Sequence, residues 1–267
     1  MSTSMANNSI GFFDSGVGGL TVYSKFRKLM PQENCLYLGD TVHMPYGNKT
    51  REELISYARA IMDFYQKKEV KAVVIACNTS SSVAYDVIKD DYDFEIYPII
   101  QNSCEVIGQL PIKSLGLLAT KATVESGVYE REIKKYNKNI EIYSHSCINW
   151  AKIVEGKEQY TQAGEDEIVA DLKNVLKYEP EKIILGCTHY PYLMDILSKY
   201  TAPEKFIDPA EYFVNYIKTD LEEKGLIREA VTNGEESVFV TANIASFVTA
   251  SKMFYNLESV PSLVNLG

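Results

Sequence analysis

Two cysteines stand at matching places in two similar stretches of the chain. The first stretch reads Val-Val-Ile-Ala-Cys-Asn-Thr and ends at Thr79, and the second reads Ile-Ile-Leu-Gly-Cys-Thr-His and ends at His189. A short apolar run followed by amphipathic sequence is typical of a buried parallel strand that leads through a turn into a helix. Functional residues of open α/β sheets gather at the carboxyl ends of such strands. We therefore expect Cys77 and Cys187 to face one cleft from two sides.

Two facing thiols could invert a stereocentre. One thiolate removes a proton from one face of a carbon atom while the other thiol delivers a proton to the opposite face, and each needs an assisting group. A thiol becomes reactive when a base, a cation or helix N-terminal amides favour the thiolate, and we expect both cysteines to lie at such helix ends. We assign Asp14, which follows the first predicted strand, as the assistant of Cys77. His189, two residues after the second cysteine, is the assistant assigned to Cys187.

The residues alone leave other functions open. Cys187 with His189 would also suit the nucleophile of a hydrolase or amidase, which would tolerate replacement of Cys77. A two-lobed protein that binds an amino acid without converting it is a third possibility. The other cysteines, Cys35, Cys104 and Cys147, are widely spaced and fit buried reduced thiols better than a disulfide framework or a zinc site.

Composition and charge argue against several classes of protein. The chain has 267 residues, with 27 Lys and Arg against 36 Asp and Glu, for a formal charge of −9. This balance argues against nonspecific binding to nucleic acid or to anionic lipid, and no apolar stretch approaches the roughly 20 residues that cross a bilayer. Residues 1–9 lack the apolar core of a secretory signal. We interpret them as a frayed leader and predict a cytoplasmic protein.

The elements that must position these residues alternate between strands and helices. Predicted strands occupy residues 10–13, 35–39, 72–76, 96–100, 115–119, 140–144, 183–186 and 238–241, and residues 206–209 form a short return strand with a turn. Predicted helices include residues 124–136, 163–178, 210–224 and 244–255, and one that starts at Pro191. Such alternation predicts parallel sheets with helices on both faces. Because the pattern runs twice, each time with its own cysteine, we expect two similar lobes with boundaries near Tyr97 and Asp208.

Four motifs follow one another along the chain. They are Phe-Asp-Ser-Gly-Val-Gly-Gly-Leu from Phe13, Pro-Tyr-Gly from Pro45, Ala-Cys-Asn-Thr from Ala76, and Gly-Cys-Thr-His-Tyr-Pro from Gly186. This set resembles cofactor-independent glutamate racemase, of the aspartate/glutamate racemase superfamily, over nearly the whole chain. The resemblance implies interconversion of L- and D-glutamate for peptidoglycan synthesis, with neither pyridoxal phosphate nor a metal.

The same resemblance implies the architecture. It indicates an α/β protein of two pseudo-symmetric lobes, each a mostly parallel sheet flanked by helices, with the active site at their interface. Residues 1–97 and 208–267 would form the first lobe, which carries Asp14 and Cys77. Residues 98–207 would form the second lobe, which carries Cys187 and His189. A homodimer is implied as well.

Residue by residue, the resemblance implies that Cys77 and Cys187 are the acid/base thiols, assisted by Asp14 and His189. The implied substrate contacts are Asp14, Ser15, Tyr46, Gly47, Asn78, Thr79, Thr120, Thr188 and His189. A glutamate that the family has in its second lobe corresponds to Glu155, in the short motif Ile-Val-Glu. No contact is Arg or Lys, so backbone amides and hydroxyls are expected to bind the two substrate carboxylates in a closed, desolvated site.

The chain departs from the family pattern in two places. Ser80 and Ser81 stand where versions containing alanine are common, and Tyr192 stands where leucine is usual. Neither change removes a functional group, and we expect Tyr192 to narrow the wall of the cleft. An aspartate or broad-specificity racemase of the same superfamily remains an alternative, because the size of the pocket decides between these substrates.

Overall fold

The computed structural model describes residues 3–266, in which strands and helices alternate. The strands are β1 (Ile10–Asp14), β2 (Cys35–Gly39), β3 (Ala72–Ile75), β4 (Glu95–Pro98), β5 (Ser114–Ala119), β6 (Glu141–Ser146), β7 (Lys182–Gly186), β8 (Phe206–Ile207), β9 (Glu236–Val240) and β10 (Ser262–Leu263). The helices are α1 (Thr3–Ala6), α2 (Leu20–Leu29), α3 (Arg51–Lys67), α4 (Asn78–Val83), α5 (Tyr85–Ile88), α6 (Ile99–Ile107), α7 (Lys121–Glu125), α8 (Val128–Tyr136), α9 (Trp150–Glu155), α10 (Gln162–Leu176), α11 (Met194–Leu197), α12 (Pro209–Glu223) and α13 (Ile244–Ser251). None of these helices has the length and apolar content needed to span a bilayer.

The strands form two parallel sheets with the same internal order. The first sheet has six strands in the order β10-β9-β2-β1-β3-β4, and the second has four in the order β6-β5-β7-β8. The run β2-β1-β3-β4 of the first sheet therefore corresponds to the whole of the second. This confirms the predicted α/β fold of two similar, mostly parallel units flanked by helices, and it makes β3 and β7, which precede the two cysteines, equivalent strands.

The apolar runs form strands because both faces of the central strands are buried. Every residue of β1 is buried, and successive side chains enter different clusters: Phe12 packs with Tyr23 and Phe26, whereas Phe13 packs on the opposite face with Ile61. The ring centroids of Phe12 and Phe26 lie 4.9 Å apart. A strand packed on both faces holds the residue at its carboxyl end in a fixed position.

Two helices carry the chain between the sheets. Helix α6 leads from β4 toward β5, and α12 leads from β8 back toward β9. The two helices pack against each other, so both crossings lie side by side. The sheets thus draw on residues 10–98 and 236–263 on one side and on residues 114–207 on the other. The domain boundaries at residues 97/98 and 207/208 stay a prediction.

Several predicted elements end elsewhere in the structure. The strand predicted for residues 96–100 stops at Pro98, and α6 begins at the next residue; a short apolar run does not by itself distinguish a strand from a buried helix. The helix predicted for residues 124–136 is two helices, broken where Gly127 takes a positive φ of 63°. The predicted helix at residues 244–255 ends at Ser251, whose carbonyl accepts the N–H groups of Phe254 and Tyr255.

Other elements were missed by the sequence analysis. Helices α6 and α9 and strand β10 were not predicted, and α9 contributes to the site described below. The helix predicted from Pro191 is a 3-10 turn at Tyr190–Leu193 followed by the short α11. In the predicted leader, Thr3–Ala6 is helical, while residues 1 and 2 lie outside the described residues.

Candidate active site

A cavity of about 240 Å³ lies between the carboxyl ends of the two sheets. Asp14 ends β1 and Cys77 follows β3, while Thr120 follows β5 and Cys187 follows β7. In each sheet these two strands are neighbours at the point where the strand order reverses, which is the usual site of ligand binding in such sheets. The cavity is lined by Asp14, Ser15, Met44, Pro45, Tyr46, Gly47, Cys77, Asn78, Thr79, Thr120, Ala151, Lys152, Glu155, Cys187, Thr188 and His189. All residues predicted for the site are among them.

Cys187 has a histidine and a carboxylate behind it. The sulfur lies 3.7 Å from His189 Nδ1, and His189 Nε2 lies 2.7 Å from Glu155 Oε1. Burial disfavours the imidazolium, but the hydrogen bonds to Cys187 and Glu155 outweigh it and raise the pKa of His189 to about 10. At neutral pH the imidazole is therefore cationic and places a positive charge beside the Cys187 sulfur.

Cys77 has a different environment on the other side of the cavity. It is the N-cap residue of α4 and lies near Asp14. Burial and the negative charge of Asp14 raise the pKa of Cys77 to about 12, so these effects outweigh the helix N-terminus that was expected to favour the thiolate. In the free protein Cys77 is consequently a thiol at neutral pH, ready to act as a proton donor.

Asp14 keeps one carboxylate oxygen unpartnered. Its Oδ1 accepts the Gly16 N–H at 3.0 Å, whereas Oδ2 is buried and has no hydrogen-bond partner among the described residues. Burial raises the pKa of Asp14, and the nearby His189 opposes that rise. Asp14 therefore lines the cavity with a carboxylate that has one unsatisfied acceptor oxygen.

The expected helix N-terminus beside Cys187 is absent. A 3-10 turn starts at Tyr190 instead, with His189 as the preceding residue, and the Tyr190 N–H bonds back to the Cys187 carbonyl. The side chain of His189, rather than a row of helix amides, therefore provides the positive charge at Cys187. The two thiols are supported by unlike groups although they follow equivalent strands.

A buried carboxylate holds the loop that carries Tyr46. The Tyr46 hydroxyl donates to Asp40 Oδ2, and the fully buried Asp40 also accepts from the Thr241 hydroxyl at 2.8 Å. His43 Nδ1 lies 2.8 Å from the same carboxylate. These contacts tie the loop of Pro45, Tyr46 and Gly47 to the first sheet, so that it forms a fixed wall of the cavity.

Hydrogen bonds across the cleft orient the side chains that follow β3. The Tyr129 hydroxyl of α8 donates to Asn78 Oδ1 at 2.7 Å, which leaves the Asn78 amide N–H groups free to donate. The hydroxyls of Thr79 and Thr120 lie 3.0 Å apart. Both pairs join the first sheet's side of the cavity to the second, and the free donors suit a carboxylate.

Sequence reasoning missed Lys152, which lines the cavity from α9. Lys152 lies three residues before Glu155, and residues at this spacing share one face of a helix. The signal was present in the sequence, but α9 itself was not predicted. The expectation for Tyr192 was wrong, because its ring packs against Phe254 with centroids 4.4 Å apart and does not line the cavity.

Known proteins resemble this chain over most of its length. Residues 18–217 match the family described as Asp/Glu/hydantoin racemase. A glutamate racemase from Carboxydothermus hydrogenoformans is 36% identical over 97% of this chain and 97% of its own. The crystal structure of glutamate racemase from Francisella tularensis in complex with D-glutamate has a TM-score of 0.89 at 31% identity, covering 98% of each chain. A glutamate racemase isoform from Bacillus anthracis has a TM-score of 0.92 at 27% identity, again over 98% of each chain.

Proposed function

The chain belongs to the Asp/Glu/hydantoin racemase family, and on that basis we propose that it interconverts L-glutamate and D-glutamate by proton transfer at the α carbon. The chain is then an isomerase whose catalysis requires no cofactor. The named activity of its relatives supports this substrate, as does the D-glutamate bound by the Francisella tularensis protein.

The observation that carries the proposal is that Cys77 and Cys187 line one cavity from two sheets. In one direction the Cys187 thiolate takes the α proton, and the electron pair left on carbon is delocalised into the adjacent carboxylate. The Cys77 thiol then delivers its proton to the opposite face, which leaves a Cys77 thiolate and a Cys187 thiol. The reverse reaction exchanges the two roles.

The remaining lining residues hold the substrate and support the thiols in this proposal. His189, held by Glu155, stabilises negative charge on Cys187, and Asp14 both opposes early ionisation of Cys77 and accepts the substrate ammonium. Hydroxyl, amide and backbone groups bind the carboxylates of the substrate, from Ser15, Tyr46, Gly47, Asn78, Thr79, Thr120 and Thr188. Preorganised donors in a buried cavity stabilise the carbanion-like state without reorganising during the reaction.

The proposal extends to the protein's wider setting. Product D-glutamate would supply peptidoglycan synthesis, and the enzyme would work in the cytoplasm as a homodimer. Each chain would consist of one lobe of residues 1–97 with 208–267 and a second lobe of residues 98–207. Light scattering of the purified chain tests the dimer, which is contradicted by a monomeric mass at assay concentrations.

The activity is tested by incubating the purified protein with L-glutamate in D₂O, with no cofactor added. We expect loss of optical rotation together with incorporation of deuterium at the α carbon. L-aspartate run in parallel tests the alternative substrate. A requirement for pyridoxal phosphate, or loss of activity on addition of a chelator, would count against the proposal.

Single replacements of the cysteines test the two-thiol scheme. Cys77→Ser and Cys187→Ser should each lower racemisation by about 10²–10⁴-fold, because an alcohol is a much weaker acid than a thiol. Each variant should still exchange the α proton of one enantiomer only, and that enantiomer should differ between the two variants. A trapped acyl-enzyme on Cys187, with turnover that tolerates Cys77→Ser, would instead indicate a cysteine hydrolase. Near wild-type racemisation by either variant would refute the two-thiol scheme.

A further inference from the structure

The first turn of α4 places hydrogen-bond donors of Ser80 near Cys77. Cys77 is the N-cap residue, and Ser80 is the third residue of the helix. An N-cap side chain is placed to accept a hydrogen bond from the backbone N–H of that third residue. The neutral thiol forms no such bond in the structure, although the site would suit an acceptor that carries negative charge.

The Ser80 hydroxyl is unlike the other hydroxyls of this segment. Ser80 is fully buried, and its Oγ has no hydrogen-bond partner among the described residues. By contrast, the Ser81 hydroxyl donates to Gln101 at 2.8 Å, and the Ser82 hydroxyl donates to the Thr79 carbonyl at 2.8 Å. A buried hydroxyl without a partner is uncommon in native proteins and calls for an explanation.

We propose that the Ser80 hydroxyl donates a hydrogen bond to the Cys77 sulfur once that sulfur has lost its proton. Ser80 is thereby a positioning residue that stabilises the thiolate formed in the racemisation step, together with its own backbone N–H. Its hydroxyl stays unpartnered in the resting protein because the neutral thiol is a weak acceptor. No other described group depends on the Ser80 hydroxyl, so its removal leaves nothing else unpaired.

The electrostatics of Cys77 agree with this assignment. Burial and Asp14 raise the pKa of Cys77, and both the N–H and the hydroxyl of Ser80 oppose that rise. Cys187 has the cationic His189 to stabilise its thiolate, whereas Cys77 faces the like charge of Asp14. A neutral donor at Ser80 offsets part of that disadvantage without adding a permanent charge to the cavity.

Racemisation rates alone do not test this inference. The two enantiomers of glutamate have the same free energy, so kcat/KM must be equal in both directions for every variant. A change in rate therefore does not identify which thiol was affected. The test must follow the ionisation of Cys77 itself, and such a test also remains valid if the proposed function, on which the role in catalysis rests, is wrong.

The experiment measures alkylation of the full-length protein by iodoacetamide over a range of pH, with mass spectrometry to quantify each cysteine separately. In Ser80→Ala, alkylation of Cys77 should be about tenfold slower at every pH below its midpoint, because the thiolate fraction falls about tenfold. The profile of Cys187 in the same sample should not move. Ser82→Ala is the matched control, because its hydroxyl bonds to backbone in the same helix.

An unchanged Cys77 profile in Ser80→Ala, or an equal shift in Ser82→Ala, would overturn the inference. If iodoacetamide does not reach Cys77, a smaller neutral reagent, methyl methanethiosulfonate, provides the same comparison of rates. A shifted profile in a protein that fails to racemise glutamate would uphold the role of Ser80 and refute the proposed function instead.

Discussion

The charge on His189 depends on Cys187 and on one neighbouring carboxylate. Glu155 Oε1 lies 2.7 Å from His189 Nε2, and this hydrogen bond acts with the Cys187 contact to overcome the burial of the imidazole. Glu155 reaches the site from α9, whereas His189 follows β7. The positive charge beside Cys187 therefore depends on two segments of the second sheet's unit that are distant in sequence.

Glu155→Gln should lower the pKa of His189 from about 10 toward its ordinary value of 6.5. The alkaline limb of kcat/KM that belongs to His189 should move to lower pH by the same amount.

Because the folded-state pKa is raised, protonated His189 contributes stability that is complete below about pH 6.5 and lost as the pH rises through about 10. NMR titration of His189 and a pH series of kcat/KM check this; Glu158→Gln, an exposed carboxylate nearby, is the control. An alkaline limb that stays in place would contradict it.

Lys152 brings a positive charge to the cavity wall. Its side chain is exposed and forms no ion pair with the described residues. Lys152→Gln should raise the KM for glutamate about fivefold at low salt, since one favourable charge contact is lost. The difference from wild type should shrink as salt is added. Lys173→Gln makes the same charge change on the exposed side of α10 and should leave KM unchanged. A salt-independent effect would show that charge is not the cause.

At the scale of elements, a buried lysine joins segments that lie far apart in the chain. Lys71, immediately before β3, places its ammonium 2.5 Å from Glu33 Oε2 and 2.7 Å from the Leu226 carbonyl. It also lies 2.6 Å from the Ala6 carbonyl at the end of α1. Burial lowers the pKa of Lys71, while the Glu33 carboxylate opposes that shift. The contacts fix the amino end of the strand whose other end carries Cys77.

Lys71→Met should lower the free energy of unfolding by about 3–5 kcal/mol, because it leaves the Glu33 carboxylate buried without its partner. Urea denaturation followed by circular dichroism measures the change. The double variant Lys71→Met/Glu33→Gln should recover part of the loss, since the unpaired charge is gone. A single variant within about 1 kcal/mol of wild type would contradict the importance of this buried pair.

At the scale of the whole molecule, the units built on the two sheets pack tightly against each other at Gly18. A Cβ at this position would lie 2.4 Å from His189 Cε1 and 2.4 Å from Thr188 Oγ1. The Thr21 hydroxyl, one turn further along, donates to the Thr188 carbonyl at 3.0 Å. The glycine-rich turn after β1 thus packs directly against the turn that carries Cys187. Gly18 must lack a side chain for this contact to form.

Gly18→Ala should push His189 and Thr188 away from the first sheet and lower kcat/KM by tenfold or more, because small misplacements of catalytic groups are costly. The thermal midpoint should change much less than activity, since the β1 and β7 cores are untouched. Thr21→Val, which loses the hydrogen bonds of this hydroxyl to the Thr188 and Gly18 carbonyls, is the milder comparison. Activity near wild type in Gly18→Ala would show that the turn carrying Cys187 can move away from Gly18 without effect on the site.

The sequence by itself determined the parallel α/β fold, its repetition and most of the cavity-lining residues. Apolar runs, helical periodicity and residue types at strand ends are local signals, and the resemblance to a known family located Asp14, Cys77, Cys187 and His189. Helix α6 was not predicted because its first residues were assigned to the strand predicted for residues 96–100. Helix α9 was not predicted because its 6 residues are too few to show a helical period.

Only the tertiary structure decided how these residues are charged and what surrounds them. The high pKa of Cys77 comes from burial, and the cationic state of His189 depends on a contact with Glu155 from a separate segment. The unpartnered hydroxyl of Ser80 and the lysine at the cavity wall likewise emerge only when the elements are packed. Solvation and charge depend on everything within a few ångströms of an atom, and those neighbours come mostly from distant parts of the chain.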